Sequence, residues 1–179
     1  HAKALREIIL PTVRGMKADG IPFTGFLYAG LMIDASGQPK TLEFNCRMGD
    51  PETQPIMARL KSDFLIALDA AVDGNLDQVE LEWDSQIALG VVMAAHNYPE
   101  TPRKGDVITG IPADGDHHMT FHAGTTLNNG TLETSGGRVL CVVGLDHTTK
   151  GAQQRAYDIV RQISFAGAQY RNDIGYRAL

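Results

Sequence analysis

The chain is poor in cysteine: Cys46 and Cys141 are the two it has among 179 residues. They form no Cys-x-x-Cys pair, stand at no ligand spacing and fall in segments that read as buried strands, which argues against a disulfide scaffold or a zinc centre. A reducing cytoplasm fits such usage. Positive charge is also in deficit. Sixteen Lys and Arg against twenty-one Asp and Glu give a net charge of −5, and no basic stripe marks a nucleic-acid track. No apolar run suits a membrane span: the longest, Ile87 to Ala95, is far short of the roughly 20 residues required. No signal-like pattern follows His1, and no internal repeat is visible. Histidines are present without metal spacing, since His117, His118 and His122 have no carboxylate or thiolate placed to complete a zinc set. Gly136-Gly137-Arg138 precedes its strand, whereas a dinucleotide fingerprint follows one, so it reads as a hairpin turn.

What is there is enough apolar sequence for a core, 43% hydrophobic, arranged in short elements. Leu5, Ile8, Ile9, Val13 and Met16 recur at helical spacing, with Pro11 expected to kink or break that helix and Gly20-Ile21-Pro22 to end it. Phe23 to Ile33, the turn Asp34-Ala35-Ser36-Gly37 and Lys40 to Arg47 read as a hairpin that brings Gly30 opposite Glu43. Ile56, Leu60, Phe64, Leu65, Leu68 and Val72 predict one bent helix or two in series, softly broken at Ser62-Asp63 and ending at Asp73-Gly74-Asn75. That ending is the expected domain boundary, giving domains 1–73 and 74–179. Beyond it, strands are expected at Val79 to Trp83, Ile87 to Ala95, Met119 to Ala123, Thr131 to Thr134 and Arg138 to Leu145, then a helix from Thr148 to Ile163 that packs on them. The expected fold class is α+β.

Leu42-Glu43-Phe44-Asn45-Cys46-Arg47 alternates strictly, which puts Glu43, Asn45 and Arg47 on one strand face and Leu42, Phe44 and Cys46 on the other. A carboxylate, an amide oxygen and a guanidinium in a row suit a hard cation and an anion together. A plain polar strand face is the competing reading. Met48-Gly49 then leads out of the strand, with Asp50 as expected helix N-cap and Pro51 at the first helical position, although Pro55 allows a later start. Either start places free N–H groups near Arg47.

The run Glu43-Phe44-Asn45-Cys46-Arg47-Met48-Gly49-Asp50-Pro51-Glu52-Thr53-Gln54-Pro55 resembles the signature of the phosphoribosylamine glycine ligase (glycinamide ribonucleotide synthetase) family of ATP-grasp enzymes. Thr24 to Met32 resembles the family's preceding strand. Leu89 to Ala95, Phe121 to Thr125, Gly136 to Leu140 and Asp173 to Ala178 keep the family's order, so the resemblance spans nearly the whole chain. It implies the C-terminal part of an ATP-grasp domain, antiparallel strands with helices, followed by a small β-rich domain with a packed helix. Family members are longer and begin with domains that supply an adenine pocket, a phosphate-binding lysine and a Gly-rich loop. None of these is in the sequence, so the chain is expected to be a C-terminal portion, inactive without those N-terminal domains.

By the same resemblance the parent joins glycine to 5-phosphoribosylamine, with ATP as co-substrate, through glycyl phosphate, in purine synthesis. Glu43 and Asn45 would bind Mg2+ or Mn2+, Arg47 would orient the glycyl carboxylate or acyl phosphate, and Asp50 is a candidate for holding a substrate amine. Tyr28-Ala29-Gly30-Leu31 lacks the further metal-binding acid that many ATP-grasp ligases carry opposite the glutamate. Two other accounts stay open. One is another ATP-grasp enzyme such as a biotin-dependent carboxylase subunit, which shares Glu-x-Asn-x-Arg but not Gly-Asp-Pro-Glu-Thr; the other is a non-catalytic binding module.

Overall fold

The structure, a computed structural model, describes all of residues 1–179 and is α+β. It divides into two compact units, residues 1–50 with 63–80 and residues 51–62 with 81–179.

The first unit opens with helical backbone that is α at Ala2–Ala4 (α1), π over Leu5–Ile9 and α again over Leu10–Ala18 (α2). Pro11 therefore does not break the helix. A proline ring crowds the carbonyl four residues back and offers no N–H, and the π turn just ahead of it, where Leu10 N–H bonds to Leu5 O, widens the ladder at that point. The helix ends as expected: Gly20 takes φ +78°, its N–H bonds to Lys17 O at 3.1 Å, and Ile21 N–H reaches Met16 O at 2.9 Å. A hairpin follows, β1 (Tyr28–Ile33) against β2 (Pro39–Asn45), antiparallel. Its turn is set by Asp34, whose Oδ1 accepts from Ser36 N–H (3.0 Å), Ser36 Oγ (2.6 Å) and Gln38 N–H (2.9 Å), and by Gly37 at φ +77°. Helix α4 (Phe64–Val72) is capped by Asp63, which accepts from Leu65 N–H at 2.9 Å. Gly74 at φ +75° closes its far end, with Asn75 N–H on Ala70 O at 2.8 Å. The series of two helices is thus observed, and the extended stretch between α3 (Thr53–Arg59) and α4 is where the chain passes from one unit to the other.

The second unit is built on a three-stranded antiparallel sheet in the order β3 (Ile87–Ala94), β7 (Arg138–Asp146), β4 (His118–His122). Helix α5 (Thr149–Val160) lies on one face, where Gly144 has no side chain and lets the backbone at Ala152 and Ala156 approach. Helix α3 (Thr53–Arg59) touches the other face at Gly90, where an added Cβ would stand 3.0 Å from Pro55. Val91, Met93, Val139, Val142, Ala152, Ala156 and Val160 are essentially inaccessible and form the core. A separate hairpin pairs β5 (Thr125–Asn128) with β6 (Thr131–Thr134) around Asn129-Gly130, both at positive φ.

Three expectations are corrected here. Val79 to Trp83 is not a strand: a 3-10 turn occupies Leu76–Gln78, and only Trp83 makes a bridge, to Leu60. Glu80 and Glu82 alternate with apolar residues, but no neighbouring strand runs alongside to use the rest of the backbone. Gly136-Gly137 is not a hairpin turn, because β6 and β7 belong to different sheets. The two glycines instead permit close passage, Gly136 beside Gly124 and Gly137 under the Tyr98 ring. Cys141 is buried as expected, whereas Cys46 is exposed.

Candidate metal and anion site on the β1–β2 hairpin

Pairing in the hairpin sets Gly30 opposite Glu43 and Tyr28 opposite Asn45, as the turn chemistry predicts. Directly paired residues project to the same side, so Tyr28, Gly30, Glu43 and Asn45 share a face. Gly30 matters by what it lacks. A Cβ there would stand 3.1 Å from Glu43 Cγ and 3.7 Å from the Tyr28 ring, so glycine leaves the carboxylate its room. Asn45 Nδ2 donates to Glu43 Oε1 at 3.0 Å, which fixes the two side chains together and leaves the amide oxygen as an acceptor.

Strand β2 stops at Asn45, and this corrects the expectation that alternation carries Arg47 onto the same face. Arg47 lies in the bend that follows, exposed, with Nη1 donating to the neighbouring Met48 O at 3.0 Å. Asp50 is exposed and is not a helix cap. Helix α3 starts at Thr53 behind Glu52, which makes no side-chain cap, so Pro51 precedes the helix and Pro55 sits in its first turn. A proline there loses no intrahelical bond, since the first N–H groups have no partner within the helix. Seven residues make α3 too short to act as an anion-binding dipole at its N-terminus.

The opposite face of the hairpin was expected to be apolar, and it is, but it is open: Leu42 is 65% exposed and Phe44 41%. Alternation in sequence assigns faces without saying what covers them.

A carboxylate beside an amide oxygen fits a hard divalent cation that takes its remaining ligands from phosphate oxygens and water. No cluster of three or more His, Cys, Asp or Glu stands elsewhere to hold a cation with protein groups alone. The second unit has a broad cleft of about 570 Å3 beside Pro55, Ile56 and Trp83. Its one guanidinium, Arg59, is already committed to Asp84 O through Nε and Nη2 at 3.3 and 3.0 Å. The carboxylate–amide pair is that of the hairpin, and the guanidinium expected to act with it stands on the bend that follows. No helix is long and apolar enough to cross a membrane.

Residues 1–53 match the family model described as phosphoribosylglycinamide synthetase, ATP-grasp (A) domain, and residues 88–177 match phosphoribosylglycinamide synthetase, C domain. The chain is similar to the phosphoribosylamine–glycine ligases of Ralstonia nicotianae, 72% identical over the whole chain and 42% of that protein, and of Neisseria meningitidis, 60% identical over the whole chain and 43% of that protein. A solved structure, that of the phosphoribosylamine–glycine ligase of Thermotoga maritima, superposes with a TM-score of 0.84 at 37% identity, over 97% of this chain and 42% of the other. The chain thus spans less than half the length of the relatives it matches. With half of its residues under the C-domain model and its beginning under the ATP-grasp one, the chain belongs to the phosphoribosylglycinamide synthetase family.

Proposed function

We propose that residues 1–179 supply the cation- and acyl-phosphate-handling part of an ATP-dependent ligase that joins glycine to 5-phosphoribosylamine in the cytoplasm, as a step of purine synthesis. One observation supports this above others: Glu43 and Asn45 are locked side by side on a face that Gly30 keeps clear. In this reading Glu43 and Asn45 hold Mg2+ or Mn2+, which when bound neutralises charge on the ATP phosphates. Arg47 lies a few residues beyond the pair on a short bend and presents a planar fork of donors suited to the glycine carboxylate and then to the acyl phosphate. Asp50 accepts hydrogen bonds from a substrate amine.

The chemistry asks for positioning more than for covalent help. A carboxylate oxygen of glycine attacks the γ-phosphorus of ATP, the bond to the β-phosphate oxygen breaks, and ADP leaves. The amine nitrogen of 5-phosphoribosylamine then attacks the carbonyl carbon of glycyl phosphate. Inorganic phosphate departs, the nitrogen loses a proton, and an amide remains. Water must be kept from the acyl phosphate between the two steps.

The test uses a full-length ligase made by placing residues 1–179 in the Ralstonia nicotianae polypeptide in exchange for its matching segment. Glycine-dependent ADP release should fall by about two orders of magnitude or more in Glu43→Gln, as expected when several kcal/mol of charge stabilisation is lost, and similarly in Asn45→Ala. Residues 1–179 alone should release none. Turnover of both variants near that of the unsubstituted chimera at saturating Mg2+ would return the pair to an ordinary polar strand face.

A further inference from the structure

Strict alternation along β2 places Lys40 with Leu42 and Phe44, away from Glu43. The pairing says otherwise. Register shifts between Gly30 and Leu31: Gly30 faces Glu43, but Leu31 faces Thr41 and Met32 faces Lys40. Leu42 is the extra residue of a β-bulge, opposed by nothing on β1. Strand β1 alternates regularly, so Tyr28, Gly30 and Met32 share one side, and their partners Asn45, Glu43 and Lys40 share it too. A one-residue bulge has moved an ammonium group from the apolar face to the face of the carboxylate–amide pair.

We propose that Lys40 is a substrate-binding residue that holds the polyphosphate of the nucleotide brought to Glu43 and Asn45; the proposal rests on the cation reading of that pair. Gly30 and Met32 are two steps apart on β1, with Leu31 between them, so Lys40 stands about 7 Å along the strand from Glu43. That is too far for direct pairing at the backbone level, yet a four-carbon stem spans it. No ion pair links Lys40 to Glu43, whose carboxylate accepts from Asn45 instead. The Lys40 side chain is exposed. Gly30, paired with Glu43, raises no side chain beside the carboxylate, and Met32 is the neighbour of Lys40 on the same face. A divalent cation at one end and an ammonium at the other repel each other when nothing lies between them. A chain of phosphates laid along the face satisfies both, with oxygens on the cation and oxygens on the ammonium.

This arrangement makes a prediction of opposite signs, measured by Mn2+ electron paramagnetic resonance on the chimeric full-length ligase. Without nucleotide, Lys40→Ala removes a like charge and should tighten Mn2+ binding by a few-fold. With ATP present, the same variant should bind the Mn2+–ATP complex about tenfold more weakly and raise the KM for ATP by a similar factor. Lys40→Arg should restore both values. Lys40→Ala combined with Thr41→Lys keeps the net charge but moves the ammonium to the face of Leu31, and should not restore them. Equal Mn2+ and Mn2+–ATP affinities in Lys40→Ala and the parent, or full rescue by Thr41→Lys, would overturn the proposal. If Glu43→Gln leaves Mn2+ binding untouched, the reading of the pair itself fails; loss there with no effect at Lys40 defeats the lysine alone.

Discussion

Arg47 is held by one hydrogen bond to the carbonyl of the next residue, in a bend and not on a strand. Its chemistry therefore depends on what it grips and not on a scaffold that grips it. A guanidinium makes two parallel bonds to a carboxylate or phosphoryl group, whereas an ammonium acts as a point charge. In the chimeric ligase, Arg47→Lys should still bind Mg2+ and ATP but form acyl phosphate slowly, read as reduced positional oxygen exchange within ATP when glycine is present. Exchange at the parental rate together with normal turnover would remove Arg47 from the chemistry. Sequence spacing named Glu43 and Asn45 as neighbours because residues two apart on a strand share a face, and the structure joins them. The same rule overreached at Arg47, since alternation in the sequence does not record where pairing stops. Asp50 shows the same limit: its type and its proline neighbour suit a helix start, but the helix begins three residues later.

The β1–β2 turn and several helix ends were legible because their chemistry is local. Asp34 with Gly37 fixed the hairpin, Asp63 the start of α4, and the glycines at 20 and 74 the helix ends. The bulge at Leu42 was not legible, since an extra residue leaves no mark in a sequence that alternates on either side of it. The β5–β6 hairpin at Asn129-Gly130 was not among the expectations, since β5, Thr-Thr-Leu-Asn, is too short and polar to read as a strand. The junction of β7 and α5 gives an element-scale prediction. Asp146 ends β7 and its carboxylate accepts from Thr148 N–H (3.0 Å), Arg155 Nε (2.9 Å) and Thr148 Oγ1 (3.0 Å), while Thr148 caps α5 through Gly151 N–H. Gly151 suits this first turn, because a Cβ there would strike the carboxylate. The Thr148 backbone donor above all, then Arg155 and the Thr148 hydroxyl, lower the Asp146 pKa from 3.8 to about 2. A depressed carboxylate pKa stabilises the fold above its unfolded value and loses that contribution as pH falls through the folded one. Asp146→Asn should therefore melt lower than the parent at pH 7, and the gap should close between about pH 4 and pH 2. A gap that persists unchanged to pH 2 would show that the charge contributes nothing.

Burial is divided very unevenly between the two units. Every residue of the hydrophobic core lies at or beyond Leu89, and in the first unit the buried apolar side chains are Pro39 and Ala67. Leu42, Leu65, Ile66 and Val72 remain largely open, and the first unit's sheet has two strands. Two strands with little of their surface covered are marginal in water, whereas a three-stranded sheet packed by helices is not. Composition could not announce this split, since apolar residues are plentiful in both halves of the sequence and only packing shows which ones find partners. Local opening follows burial, so amide exchange should report the division directly. In residues 1–179 alone, peptides from β1 and β2 should exchange orders of magnitude faster than those from β3 and β7, whose protection should match the global unfolding free energy. In the chimeric full-length ligase, β1 and β2 should gain protection while β3 and β7 change little, because added chain covers open apolar surface and leaves a finished core as it was. Equal protection of both units in the isolated chain, or no gain for the hairpin in the longer one, would show that the first unit is complete as it stands.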